Sequence, residues 1–337
     1  MRFYSQRGAW VSKSGHQTIA QLHQESVTKI TVIRHAALGD MVLTRAFLIE
    51  IRKFFPNAEI TLSVVSHYQN GIPHDLIDHI HVIYGSDQRG VSKWTQIQKM
   101  RELAPQDIIF DVAATPRSKM LCLLSKAKIK IGFPYKVTQR WLYSATILRT
   151  AFKFEAEIML DMLHLIGHVT QYPPEFNMPG EVIHRDRPFI LYFTGSSKPE
   201  KCWPRERFTQ LLADMATQHP DIDHVLLEGR AEWESIDPIL QDLGHLKNVQ
   251  GEKGLDLNQM IANVKGSLML VSNDTGIRHL AIASEIPTLG IFFDDYPFRY
   301  WPRYGIHEIA FNPDASIPSV ESMADKINNM LHRILNK

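Results

Sequence analysis

From Lys29 onward, short apolar runs alternate with longer helical patterns, and this alternation limits the fold more than any other feature. Strand patterns fall at Lys29–His35, Glu59–Val65, His81–Tyr84, Asp107–Ala113 and Ile129–Gly132. Helical patterns lie near Met41–Phe55, Ser92–Leu103, Arg117–Ser125 and Glu155–His168. Residues 171–188 then carry Pro173, Pro174, Pro179, Gly180 and Pro188, the composition of a linker. The alternation restarts with strands at Phe189–Phe193, His224–Glu228, Ser267–Ser272, Thr288–Phe293 and Glu308–Phe311. Helices accompany them near Arg205–His219, Glu232–Leu243, Leu257–Val264 and Gly276–Ser284. Repeated βα units predict mostly parallel sheets with helices on both faces. The expected fold class is α/β, with two Rossmann-like domains, 29–170 and 189–318, facing across a cleft. A final helix, 319–337, carries the apolar stripe Val320, Met323, Ile327, Met330, Leu331 and Ile334 and is expected to pack back on the N-terminal domain. Residues 1–28 read as a partly irregular N-terminal extension without an assigned role.

A chain of 337 residues can bury two cores, and 44% hydrophobic with 22% charged residues is ordinary for a soluble globular protein. The net charge of +1 names no partner. Cys122 and Cys202 stand far apart without a CxxC spacing, and no apolar run approaches the ~18 residues of a membrane span. The start of the chain lacks the apolar core of a signal peptide. A cytoplasmic protein is expected.

Charge is uneven locally. From Val112 to Phe154 there is no acidic residue, but there are nine basic ones: Arg117, Lys119, Lys126, Lys128, Lys130, Lys136, Arg140, Arg149 and Lys153. Phe133, Tyr135, Trp141, Tyr143 and Phe152 are interleaved. Such a run is either a solvated basic face or a docking surface for an anionic acceptor or an anionic membrane. No nucleic-acid recognition motif accompanies it, so nucleic acid is not expected as a partner.

Four strand-to-helix turns carry the candidate chemistry, because open α/β sheets bind ligands at the carboxyl ends of strands beside helix N-termini. The first, Arg34-His35-Ala36-Ala37-Leu38-Gly39-Asp40, has neither the GxGxxG nor the GxxxxGK[ST] spacing. Gly39 lets the backbone turn tightly, and Asp40 places a carboxylate at a helix N-terminus, either toward a ligand or as a simple cap. The second, Thr194-Gly195-Ser196-Ser197-Lys198-Pro199-Glu200-Lys201-Cys202-Trp203-Pro204, offers hydroxyls, backbone N–H groups and a lysine, as a diphosphate requires. The third, Glu228-Gly229-Arg230-Ala231-Glu232, offers Glu232 to ribose hydroxyls or only to a helix N-terminus. The fourth is Asn273-Asp274-Thr275-Gly276-Ile277-Arg278-His279.

Together these turns resemble glycosyltransferase family 9, the ADP-heptose:lipopolysaccharide heptosyltransferase-like family, over nearly the whole chain from Lys29. The resemblance rests on Val32-Ile33-Arg34 with Leu38-Gly39-Asp40-Met41-Val42-Leu43-Thr44, on Lys201-Cys202-Trp203-Pro204 with Phe208, and on Asn273-Asp274-Thr275-Gly276 with His279-Leu280-Ala281. It implies a GT-B fold and an inverting, metal-independent transfer of heptose from ADP-heptose to the inner core of a lipid-A-linked oligosaccharide. Asp40 then matches the general base, with Gly39, His35, Arg117, Lys119, Lys126, Lys128 and Lys130 on the acceptor side. Lys201 and Asp274 match the residues on the donor's phosphates and sugar. Thr275 and Gly276 open a helix toward the diphosphate, Thr194 and Ser196 supply hydroxyls, and Glu232 matches the ribose-binding glutamate. The resemblance implies no cofactor, the nucleotide sugar being a substrate, and peripheral contact with the anionic inner membrane. His35 and Arg278 depart from the family pattern. His35 touches the acceptor or nothing; Arg278 reaches a phosphate or lies in solvent. Two alternatives remain: the same family with another sugar or acceptor, and a catalytically silent nucleotide-sugar-binding or scaffold protein.

Two metal-like patterns are read as structural. His164 and His168 stand one turn apart on a helix after Asp161, but Leu, Met and Ile surround them and no HExxH is present. Asp221-Ile222-Asp223 follows His219-Pro220 in a helix-to-strand connection, as turn chemistry would place it.

Overall fold

The computed structural model describes residues 9–134 and 136–336, so residues 1–8 of the N-terminal extension and Tyr135 of the basic segment lie outside the described residues. The chain divides into two compact units, Met1–Phe176 and Asn177–Lys337, with the division inside the proline-rich segment.

The first unit is built, among the described residues, on β1 (Trp10–Val11), β2 (Lys29–Ile33), β3 (Glu59–Val65), β4 (His79–Ile83), β5 (Gln106–Asp111), β6 (Ala127–Gly132) and β7 (Ala145–Thr146). Its helices are α1 (Lys13–Ala20), α2 (Leu38–Phe54), α3 (Lys93–Arg101), α4 (Pro116–Leu124) and α5 (Glu155–His164). The spatial order is β1-β7-β6-β5-β2-β3-β4, parallel throughout except for β1 against β7. The chain runs outward from β2 to β3 and β4, returns to β5 beside β2, and runs outward the other way. Right-handed crossovers of opposite direction put α2 and α4 on opposite faces. β2 and β5 thus flank a topological switch point, where such sheets open a crevice at the strand ends.

α2 is buried on all sides from Met41 to Ile51, which is why its polar residues are paired. Arg45 forks onto Asp75 at 2.7 and 2.6 Å and donates to the Phe176 carbonyl. Glu50 meets His168 and Lys53. Residues 10–20 are not a loose extension. Trp10 and Val11 extend the sheet by pairing with Thr146 and Ala145. Gly15 sits so close that a Cβ there would come 2.3 Å from the Ser144 carbonyl oxygen.

The second unit contains β8 (Phe189–Phe193), β9 (Asp223–Leu227), β10 (Val249–Glu252), β11 (Met269–Asn273), β12 (Thr288–Phe292) and β13 (His307–Phe311), ordered β10-β9-β8-β11-β12-β13 and all parallel. Its helices are α6 (Arg205–Gln218), α7 (Asp237–Leu243), α8 (Leu257–Gly266), α9 (Gly276–Ala283) and α10 (Val320–Leu335). Here β8 and β11 flank the switch point. The stripe of α10 is consumed inside this unit: Met323, Ile327, Met330 and Leu331 join the core with Trp203, Phe208, Leu212 and Met215. The apolar stripe of this helix is thus buried within the second unit's own core. Among the described residues, no helix is long and apolar enough to cross a membrane.

The helix expected from Glu232 to Leu243 is also corrected. A single tight turn, Glu232–Glu234, precedes α7, which starts at Asp237. Pro238 falls in the first turn of α7, where its fixed φ and missing N–H are tolerated.

Candidate active site

At the first switch point, β2 ends and α2 begins across Arg34-His35-Ala36-Ala37. Ala37 is the N-cap and makes no side-chain cap bond, and Asp40 occupies the third helical position. Asp40 is therefore not the N-cap residue itself. Its carboxylate is 30% exposed and lies 3.2 Å from Arg34 Nη2, which leaves it reachable from solvent. Gly39, beside it, is buried.

On the other side of the switch point, β5 ends at Asp111 and α4 begins after Ala114, which has a left-handed φ of 53°. Asp111 is buried and accepts from Tyr143 Oη, Ser118 Oγ and the Ala114 N–H; burial pushes its pKa up. This rigid turn presents Thr115, whose Oγ1 lies 3.2 Å from His35 Nδ1. Burial, assisted by Arg117, holds the His35 pKa down to about 3, so the ring is neutral. His35, Gly39, Asp40, Arg117 and Lys119 thus gather at one edge of the sheet.

Lys126, Lys128 and Lys130 do not join them. Lys126 and Lys128 lie at the start of β6, the opposite end of the parallel strands, because Gln106 at the start of β5 pairs with Ala127. Lys128 bonds Asp107 at 2.7 Å. Lys130 donates to the Cys122 and Ser125 carbonyls at 2.6 and 2.7 Å, capping the end of α4. Elsewhere in the basic segment, Arg149 meets Glu155 and Lys153 meets Asp161, so acids from outside the run neutralise part of it.

At the second switch point, Asn273 ends β11 and ties the loop after β8 in place. Its amide nitrogen donates to the Thr194 and Gly195 carbonyls at 2.7 and 3.1 Å, and its oxygen accepts from the Trp203 N–H at 2.9 Å. This clamp holds the Thr194–Gly195 turn against the end of β11, next in sequence to Asp274. Ser196 is buried and its Oγ has no hydrogen-bond partner among the described residues. Thr275 is the N-cap of α9 and Gly276 its first residue, so the N–H groups of that first turn point off the helix end. Lys201 closes the turn Pro199–Lys201 and shares a pocket with Asp274, Phe292, Phe293, Asp294 and Asp295.

Glu232 is exposed on its turn. Glu234, which the sequence reading passed over, reaches inward. Its carboxylate accepts from the Ala231 N–H at 3.0 Å and fills the space over Gly195 and Gly229, where a Cβ would meet it at 2.5 and 2.2 Å. The signal was the small residue at the end of each flanking strand. Arg278 stands in the first turn of α9 and is not in solvent. It is fully buried, donates to the Tyr300 carbonyl at 2.5 Å, and lies over the Phe292 ring at 5.2 Å. Burial lowers its pKa to about 10, with Asp274 opposing.

Among the described residues, no three His, Cys, Asp or Glu side chains are grouped to hold a metal ion. His164 turns to Thr170 and His168 to Glu50, while Asp223 is met by Arg187.

The family model for glycosyltransferase family 9 (heptosyltransferase) matches residues 97–312. The chain is 25% identical over 306 residues to the lipopolysaccharide core heptosyltransferase OpsX of Haemophilus influenzae, covering 86% of this chain and 85% of the relative. It is 22% identical over 308 residues to lipopolysaccharide heptosyltransferase 1 of Campylobacter coli, covering 83% and 88%. Its fold matches the solved structure of E. coli heptosyltransferase WaaC with ADP-2-deoxy-2-fluoro heptose, at a TM-score of 0.72, 14% identity, and coverage of 91% and 99%. The two parallel-sheet units are those of the GT-B fold, and the chain belongs to glycosyltransferase family 9, a family of glycosyl-transferring enzymes.

Proposed function

We propose that the enzyme transfers heptose from ADP-heptose to the inner core of a lipid-A-linked oligosaccharide, with inversion at the anomeric carbon. The reading is supported by relatives named as lipopolysaccharide heptosyltransferases and by a solved neighbour holding an ADP-heptose analogue. The observation that carries it is the pocket where Lys201 and Asp274 meet at the second switch point, beside the N-terminus of α9.

Asp40 takes the proton of the acceptor hydroxyl as its oxygen bonds to the anomeric carbon, while the bond from that carbon to the diphosphate breaks and ADP departs. General-base assistance of this kind contributes roughly 10²–10⁴-fold. Lys201 and the first N–H groups of α9 stabilise the charge that grows on the leaving diphosphate, in place of a divalent cation. Thr194 and Ser196 contact the donor, and Glu232 or Glu234 meets the ribose. On the acceptor side, His35, Arg117 and Lys119 face the sugar phosphates. Exposed Val137, Trp141 and Phe152, with Lys136 and Arg140, meet the anionic inner leaflet.

The test is binding of a nucleotide-sugar panel to wild type and Lys201→Ala, with transfer followed in Asp40→Ala and in EDTA. The reading expects selective ADP-heptose binding that needs Lys201, binding kept but transfer lost in Asp40→Ala, and no effect of EDTA. Preference for a uridine or guanosine sugar overturns the donor, and EDTA inhibition relieved by magnesium overturns the metal-free mechanism.

A further inference from the structure

The guanidinium of Arg34 is 1% exposed, and its donors are divided among three residues. Nε and Nη2 donate to the Asp40 carbonyl at 3.3 and 3.2 Å, and Nη2 lies 3.2 Å from Asp40 Oδ1. Nη1 donates to the Val112 carbonyl at 3.0 Å and to Glu155 Oε1 at 3.2 Å. Arg149 Nη2 donates to that same Glu155 oxygen at 2.6 Å. Glu155 opens α5 and is fully buried. Two cations and two carboxylates therefore form a chain, Asp40–Arg34–Glu155–Arg149, whose formal charges cancel. Of these four, Asp40 alone reaches solvent appreciably.

Burying three charges is costly unless each is paired, and a merely structural turn needs no such chain. Its geometry has a specific effect on Asp40. A carboxylate in the first turn of a helix can swing between backbone N–H groups and solvent. Arg34 grips both the carbonyl and the carboxylate of that one residue, and Val112 and Glu155 hold the guanidinium from the neighbouring strand end and from α5. A planar five-donor fork can meet all these acceptors, whereas the point charge of a lysine cannot.

We propose that Arg34, held by Glu155, is a positioning residue for glycosyl transfer that orients the Asp40 carboxylate toward the acceptor hydroxyl. This rests on the reading of Asp40 as general base. Arg34 meets no substrate, so its effect passes entirely through Asp40. Loss of the fork should lower kcat and leave both KM values in place.

The experiment measures kcat and KM for ADP-heptose and a lipid-A-linked oligosaccharide acceptor in Arg34→Lys, Glu155→Gln, Asp40→Asn and Arg34→Lys with Asp40→Asn, each checked by circular dichroism. A misplacement of about 1 Å costs on the order of 10²-fold, so Arg34→Lys is expected to lose ~30–100-fold in kcat with either KM changed less than ~2-fold. In the Asp40→Asn background the same change is expected to cost nothing further, because residues acting as one unit are not additive. Glu155→Gln should fall between wild type and Arg34→Lys. If it does not fold, Arg34→Lys, which keeps the cation, carries the test. Wild-type kcat in Arg34→Lys, or a loss that multiplies with that of Asp40→Asn, overturns the positioning role while leaving the base intact. Full transfer by Asp40→Asn overturns the base itself, and the positioning role with it.

Discussion

Lys201 Nζ lies 2.7 Å from Asp294 Oδ2, with Asp295 Oδ2 at 3.7 Å. The lysine proposed for the donor diphosphate is thus already neutralised by its own chain. Asp294 raises its pKa, so the ammonium is charged at every working pH. A diphosphate entering this pocket competes with Asp294 for the same cation. Both groups are partly exposed, so the pair contributes less than about 1 kcal/mol. Asp294→Asn should therefore tighten ADP binding by about 2–5-fold, which calorimetry can resolve. Weaker binding in that variant would show that Asp294 supports the site instead of competing in it.

The basic segment splits into a site-facing part and a structural part. Arg117 sits by His35 and Lys119 follows it in the first turns of α4, whereas Lys126 and Lys128 lie at the far end of β6. Arg117→Ala should raise the acceptor KM by about 5–20-fold, the loss of one charge-assisted contact. Lys126→Ala should leave both KM values unchanged, and steady-state kinetics with varied acceptor tests the contrast.

Asn273 satisfies three buried backbone groups with one side chain. Asn273→Ala strands all three and should destabilise the second unit by about 3 kcal/mol or more, since each unsatisfied buried group costs about 1–3 kcal/mol. Urea unfolding should show this, and donor affinity should fall with it as the loop of Thr194 and Ser196 loosens. Unchanged unfolding would mean water replaces the amide without cost.

Burial depresses His307 to about 3 and His224 to about 4. Both residues belong to the second unit. Unfolded, each would bind a proton near 6.5, so the stability they contribute is complete above that pH and is lost as pH falls toward the folded values. Each adds a slope of up to about 1 kcal/mol per pH unit between pH 6.5 and 4.5. The urea midpoint of the second unit should fall more steeply over that range in wild type than in His307→Asn. Equal slopes would place the acid sensitivity in the carboxylates.

The competing readings of Glu232 and Glu234 separate cleanly. Glu234 is packed over Gly195 and Gly229, whereas Glu232 is exposed. Glu234→Ala should weaken ADP binding through the collapsed loops and lower the melting temperature. Glu232→Ala should lower affinity without changing stability if it alone meets the ribose.

Local pattern alone carried the parallel strands, the helices between them and the turns that bear Asp40, Lys201 and Asp274. Those depend on side-chain periodicity and on Gly and Pro, which act over a few neighbouring residues. Short edge strands escaped this reading. β10 reads Val249-Gln250-Gly251-Glu252, with no apolar alternation, and is recruited by its neighbour β9. Only the tertiary structure decided which charges work together. Glu155 comes to Arg34, Asp107 to Lys128 and Asp294 to Lys201 through strand order and helix packing. A run without acids in the sequence is therefore not an unpaired basic surface in the fold. Charge pairing depends on distance through space, and in a doubly wound sheet that distance is set by strand order, which residue spacing does not encode.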